Sequence, residues 1–311
     1  MYALFSGPLL WRANPPLAFT RLTEDSRMNH TLDPYDGREV ALLTQHGKRR
    51  VIAPALEDAL RCRVRHVDGF DTDLLGTFTR DIPRFGTQVE AARRKARIAM
   101  ELTGLPFGLG SEGAFVPDPF IGMAPWNVEL IVFIDYLRNL EIVGVAQSRG
   151  NFSHLLTNEW PALEAFARDA GFPDQQLVVR PYDEHDQRIR KGIHIWPELQ
   201  AALAWAVSEA ENGQAFVETD GRAHANPLRM ATIGQAAADL AAKLASRCPA
   251  CGTPGYWQVD RVAGLPCTDC GTPTRESRAH IYGCLKCAHR EIHPVTNATH
   301  ADPGRCDVCN P

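Results

Sequence analysis

Eight of the nine cysteines fall after residue 247, in four Cys-x-x-Cys pairs, and no other feature constrains the chain as much. They run Cys248-x2-Cys251-x15-Cys267-x2-Cys270, then Cys284-x2-Cys287-x18-Cys306-x2-Cys309. Four thiolates at such spacings suit a closed tetrahedral zinc site, which is structural because no position is left for water. Each group of four has the loop length of a zinc ribbon, so consecutive pairing is expected, with the first four cysteines on one ion and the last four on a second. Gly252, Gly271, Ala288 and Asn310 follow the pairs, small or polar residues that let backbone amides turn back toward sulfur. His289, His293 and His300 could substitute as ligands, but eight cysteines already close two sites. The clustering also points to a reducing cytoplasm rather than a secreted disulfide framework.

Zinc ribbons often bind nucleic acid, and here charge argues against it. Within the tail Asp260, Asp269, Glu276, Glu291, Asp302 and Asp307 balance Arg261, Arg275, Arg278, Lys286, Arg290 and Arg305. Two zinc ions with eight thiolates then add formal negative charge, which leaves no basic footprint for a phosphate backbone. Folding, docking of a protein partner or a second copy, and covering a site mouth are the better roles.

The remaining 246 or so residues hold the rest of the 44% hydrophobic content, enough for a sizeable core. The formal charge of −4 gives no overall bias toward nucleic acid or anionic membrane. No run approaches the roughly 18 apolar residues of a membrane span. Residues 1–37 read as a disordered extension without the basic start and cleavage site of a signal peptide, and Met28 is an alternative start. Residues 38–246 read as one α/β domain, a mixed sheet flanked by helices, and 247–311 as tandem zinc ribbons.

Within the α/β part the organising stretch is Phe85 to Phe115. Val89, Ala92, Ala96 and Ala99 recur at helical spacing across Gln88–Thr103, with Thr87 placed as N-cap. Gly104, Gly108, Gly110 and Gly113 then crowd ten residues around Glu112, and so many glycines imply close backbone approach to something. Upstream, the strand Glu39–Leu43 runs into Thr44-Gln45-His46-Gly47-Lys48. That loop can offer backbone N–H groups and a lysine to phosphate, although its glycine spacing is not that of a Walker A loop. A short helix opening at Pro54 and a strand over Cys62–Val67 follow. Asp71 and Asp73 stand at i and i+2 in a loop, where two carboxylates can share Mg²⁺.

Further strands are expected over Asn127–Tyr136, Glu141–Ala146, Gln176–Arg180 and Gln214–Glu218, and helices over Trp160–Ala170, Pro197–Glu211 and Pro227–Ser246. Asp135 falls inside an apolar run, so it is expected either at a strand end beside a cation or base, or exposed on an edge. Gln147–His154 reads as a polar loop and Arg188–Gly192 as a solvated basic cluster. Arg222, His224, Asn226 and Arg229 crowd the start of the last helix, a favourable place for an anion.

The pattern Thr87-x-x-Glu90-x-Ala92-x-x-Lys95-Ala96, followed by the glycine-flanked acid Glu112, resembles the purine-nucleoside-triphosphate pyrophosphatases that clear inosine and xanthosine triphosphates. Ala91 stands where that family has Asn, and Ser111-Glu112-Gly113 replaces its acidic strand motif. The Thr44–Lys48 loop also resembles the first phosphate-binding loop of the same enzymes. The whole chain is more similar to an uncharacterised bacterial family, a domain of unknown function with a cysteine-rich tail. The first resemblance implies a pyrophosphatase-like fold and metal-dependent hydrolysis of a nucleotide or another phosphorylated small molecule. On that reading Glu112, Glu90, Asp71 and Asp73 hold Mg²⁺ or Mn²⁺. Thr44, Lys48, Lys95, Arg222 and Arg229 bind phosphate, and His46 or His224 relays a proton. The competing expectation is a non-catalytic, zinc-dependent adaptor for a nucleotide or a protein.

Overall fold

The structure, a computed structural model, describes residues 33–70, 72, 86–119, 122 and 124–311. The Asp71 and Asp73 pair and the first 32 residues lie outside the described residues.

The first sheet is mixed, as the sequence suggests. Its strands β1 (Glu39–Leu43), β2 (Arg63–Val67), β3 (Phe107–Pro117), β4 (Pro125–Asp135) and β5 (Leu140–Arg149) lie in the order β2-β1-β3-β4-β5. β1 is parallel to both β2 and β3, while β4 and β5 are antiparallel to their neighbours. The connecting helices are α1 (Arg49–Leu60) and α2 (Gln88–Thr103). Side chains alternate across the strands. Leu109 and Ile131 face a core shared with Ile52 and Leu56 of α1 and with Ile233 and Leu240 of α5 (Pro227–Ala245). Leu130 and Val132 face Ala92 of α2 on the opposite side.

The crowded glycines find their explanation here. A Cβ on Gly110 would stand 1.9 Å from the Ala92 carbonyl oxygen, and one on Gly108 2.5 Å from that of Ala96. The close approach is that of α2 to β3, so these two glycines serve helix–sheet packing and not a ligand. Thr87 caps α2 as expected, with Glu90 completing a capping box. α1 starts five residues before Pro54, because Ile52, Ala53, Leu56 and Leu60 form one buried face and the Lys48 carbonyl accepts the Val51 and Ile52 amides. Packing has extended the helix through a proline that would lead most readers to start it later. Asp135 is fully buried at a strand end, where it accepts from Arg138 at 3.0 Å and from the Tyr35 hydroxyl at 3.3 Å.

Residues 154–219 build a second sheet that the pattern does not announce. β6 (His154–Thr157), β7 (Leu177–Pro181), β8 (Arg190–Ile193) and β9 (Ala215–Thr219) are antiparallel in the order β6-β9-β7-β8. α3 (Trp160–Ala170) and α4 (Trp196–Glu209) contribute to a separate core around Leu163, Val179, Leu199 and Val217. β6 and β8 are four residues each; β8 overlaps the expected basic cluster, whereas β6 starts at the last residue of the expected polar loop, whose first three residues belong to β5. Such short edge strands carry too little periodicity to stand out.

The tail forms a third sheet, β10 (Trp257–Ala263), β11 (Ser277–Gly283) and β12 (Arg290–Pro294), antiparallel and in sequence order. It is seated on the α/β part: Ser246 donates to the Tyr256 carbonyl at 2.6 Å, and a Cβ on Gly255 would meet Ile142 at 2.8 Å. No helix among the described residues is long and apolar enough to cross a membrane.

Candidate functional site

Two places gather chemistry-bearing side chains. The first is a crevice at the carboxyl end of β1. β1 pairs with β3 only as far as Leu43 and Gly110, whereas β3 runs on to Pro117. Ser111 therefore lies just beyond the end of its parallel neighbour, in the position where open α/β sheets hold ligands. The Thr44–Lys48 loop turns there into the N-terminus of α1. The loop 220–226 arrives from the second sheet and turns into the N-terminus of α5, where Asn226 caps through the Arg229 amide at 2.9 Å. The His46 and His224 rings, one from each loop, lie 5.0 Å apart between centroids. Two helix N-termini thus face one space, each bringing partial positive charge.

Lys48 is buried, 6% exposed, and donates to the Ser111 hydroxyl at 3.2 Å. Its amine is pushed down to about 7 by burial first and then by the charge of Arg229. His46 is lowered to about 3, again by burial first and then by Lys48, His224, Arg222 and Arg229. Both depressions come first from burial, with neighbouring cations adding to it and Glu129 and Glu112 partly offsetting it at Lys48.

The acids of the site are engaged by cations. Glu112 meets Lys95 at 2.5 Å, both buried. Arg229, fully buried, binds Glu129 through its fork and donates to the Gly221 carbonyl at 2.6 Å. Asp220 takes Arg222 at 2.6 Å. Strand alternation divides these groups between the faces of the sheet. Ser111, Gly113 and Glu129 lie on the side of α1 and α5, while Glu112 points to α2 and Lys95. A Cβ on Gly113 would stand 2.3 Å from Arg229 Nη2 and 2.4 Å from the Glu129 oxygens, so this glycine makes room for that pair.

Most of the expected residues come together. Thr44, His46, Lys48, Arg222, His224 and Arg229 line the crevice or its walls, and Lys95 and Glu112 lie just across β3. Thr44 is buried at the end of β1 with its carbonyl 2.6 Å from His66 Nε2. Glu90 does not join them: its carboxylate is exposed and accepts the Thr87 amide at 2.7 Å, so the α2 cap holds it. Glu129 is the residue that sequence reasoning missed. It sits in an apolar strand, and the only available signal is an acid in alternation with Ile131 and Phe133, on the inward side.

The second place is the cysteine tail, and the expected pairing is corrected there. Cys248, Cys251, Cys284 and Cys287 form one cluster, and Cys267, Cys270, Cys306 and Cys309 the other. The sites interleave because β10 and β11 form a hairpin: Trp257 pairs with Gly283, which brings the knuckle before β10 to the knuckle after β11. The second cluster gathers the β10–β11 connection and the segment beyond β12. Sulfur contacts of 3.5 Å (Cys251–Cys284), 3.7 Å (Cys248–Cys287), 3.6 Å (Cys270–Cys306) and 3.9 Å (Cys267–Cys309) span the faces. A tetrahedron with Zn–S near 2.3 Å has edges of about 3.8 Å, so the geometry fits such an ion. Within each cluster the thiols divide: Cys251 is lowered to about 6, first by the Thr253 hydroxyl, and Cys270 likewise by Thr272, while Cys287 and Cys309 beside them are raised to about 12. Thiolates are the species that bind metal. The signal for interleaving was present: Cys248-Pro-Ala-Cys-Gly-Thr-Pro254 and Cys267-Thr-Asp-Cys-Gly-Thr-Pro273 are copies of one knuckle, and each site uses one copy.

No curated protein and no solved structure matches the chain. A family described as a domain of unknown function, DUF6671, matches residues 95–311, from Lys95 in α2 through the last cysteine pair. Lys95, Glu112, Glu129, Arg222, Arg229 and both cysteine clusters lie within the matched residues, while His46 and Lys48 precede them. With well over half its length matched, the chain belongs to that family of unknown function.

Proposed function

We propose that the α/β part is a metal-dependent phosphohydrolase of pyrophosphatase type, acting on a nucleotide or a related phosphorylated small molecule, with two structural zinc ions in the tail. The observation that carries this reading is the crevice itself. Two helix N-termini, Lys48, Arg222 and Arg229 converge where β1 ends, and among the described residues the buried Lys48 amine meets only a neutral hydroxyl there. Phosphate oxygens are the natural counter-charge for such a place. Mg²⁺ or Mn²⁺ needs only one or two protein carboxylates when phosphates and waters supply the rest. Glu112 is the carboxylate proposed for that role; it lies across β3 on the α2 face, paired with Lys95, and metal binding would have to open that pair. The bound cation would polarise the phosphoryl oxygens. Of the two histidines proposed to relay a proton, His46 is lowered to about 3, first by burial, which leaves the role to His224 beside it.

One observation favours the adaptor reading. Among the described residues the only groups of three or more potential metal ligands are the two cysteine clusters, and Glu112 and Glu129 are already held by cations. A nucleotide or protein could then bind without chemistry. Turnover separates the two readings. The zinc-loaded full chain, given Mg²⁺ or Mn²⁺, is screened against nucleoside triphosphates, inosine and xanthosine forms included, and against common phosphoesters. Glu112→Gln is expected to lower turnover by about a hundredfold or more, and Arg222→Ala to weaken binding and turnover together. Binding without release of phosphate above the Glu112→Gln background would establish the adaptor instead.

A further inference from the structure

Among the described residues the buried amine of Lys48 has one hydrogen-bond partner, the neutral hydroxyl of Ser111. An ammonium carries three donors, so the arrangement leaves both donors and charge unmet. The charged groups around it are otherwise engaged on every side. Glu112 of β3 faces Lys95 of α2, Glu129 of β4 faces Arg229 of α5, and Asp220 faces Arg222 in the loop before α5. His46 and His224 close the space from the two loops. The amine accordingly sits low, at about 7, through burial first.

We infer that the crevice takes up an oxyanion and a proton together, with Lys48 as the group that gains the proton. The inference rests on reading the crevice as a phosphate site and adds how that site is regulated. An oxyanion against Lys48 supplies the acceptor and the negative charge that its amine lacks, which favours the charged form. Above pH 7 or so the amine enters neutral and leaves the solvent short of one proton for each anion bound. The anion raises the amine's pKa, so affinity is highest below about 7, where the amine is already charged. Affinity falls about tenfold per pH unit above that, until the pKa of the complex is reached. His46 starts near 3, well below this range, and the Lys48→Arg variant separates its contribution from that of Lys48.

The test is calorimetry of sulfate, which does not titrate across this range, on the metal-loaded full chain in two buffers of different ionisation heat. Near pH 6 the expected proton uptake is close to none; near pH 8.5 it approaches one per sulfate, with affinity lower by about tenfold or more. Lys48→Arg, charged at both values, should bind without uptake. If that variant fails to fold, the wild-type proton count still decides. Binding at pH 8.5 without uptake overturns the inference and leaves the phosphate reading standing. Uptake that persists in Lys48→Arg also overturns it, because another group then takes the proton. No sulfate binding at either pH removes the anion site itself.

Discussion

The crevice and the cysteine tail assemble function in opposite ways. In the tail the ligands come in local pairs, two residues apart, and a small hairpin has only to bring knuckle to knuckle. In the crevice Lys48, Ser111, Glu129, Arg222 and Arg229 come from the loop before α1, two strands, the loop before α5 and α5 itself, and the first and last are 181 positions apart. The tail gathers eight cysteines into two clusters that could each hold an ion, and on the proposed reading its organisation rests on those ions. The crevice is built into a packed sheet and depends on ion pairs. Local spacing therefore identifies residues in the first case, and only tertiary packing does so in the second.

That contrast is tested most severely by metal removal. Purified protein should hold two zinc ions per chain by elemental analysis. Stripping them should melt β10–β12 while the first sheet persists, because zinc contributes about 10–16 kcal/mol to modules of this type. Interleaving has its own readout. In a cadmium-substituted sample, metal–proton couplings should join Cys251 and Cys284 to one ion and Cys270 and Cys306 to the other. Couplings that join Cys251 to Cys267 would restore two consecutive ribbons.

The crevice should instead respond to the loss of a single charge. Glu129→Gln leaves the Arg229 guanidinium in a site only 2% exposed, and removal of one partner from such a pair costs about 3–5 kcal/mol. Urea melts should register this with the zinc content unchanged. The paired change Glu129→Leu with Arg229→Met should cost much less, since no charge is then stranded. An equal cost for both would mean that shape, not charge, holds the wall together.

Much of this was legible in the sequence, and the gaps share one physical origin. The strands of the first sheet, the α2 cap at Thr87 and the eight thiolates follow from periodicity, capping chemistry and spacing, which are local; the separation of β7 and β9 into a sheet of their own does not. The glycines at 108 and 110 look functional in sequence because nothing local reveals that α2 lies against them. Glu90 looks catalytic for the same reason, although its carboxylate closes a helix end three residues away. Glu129 gives no sign until Arg229, a hundred residues later, is packed beneath it. Loop length suggests consecutive cysteine pairing, whereas each of the two clusters holds one copy of the repeated Cys-Gly-Thr-Pro knuckle.

The smallest expected effect is also the one whose sign separates the two regions. Zinc ligands stabilise the tail, whereas Lys48 should destabilise the empty crevice. Its amine lies at about 7 in the folded chain, against an ordinary value of 10.5. Between those values the unfolded chain holds more protons, so unfolding free energy rises as pH climbs from 7 toward 10.5. Below 7 the cost of a charged, buried amine is present in full. Lys48→Met keeps the length and the apolar stem and removes the charge. It should raise stability at pH 7 by on the order of 2 kcal/mol, allowing for relaxation and water entry. It should also remove the climb above pH 7 that the wild type shows. Melts across that range, without phosphate or sulfate, are sufficient to see both. A variant less stable than wild type at pH 7 would mean that the bond to Ser111 outweighs the cost of burial, and the crevice would then resemble the tail, held together by its functional residues.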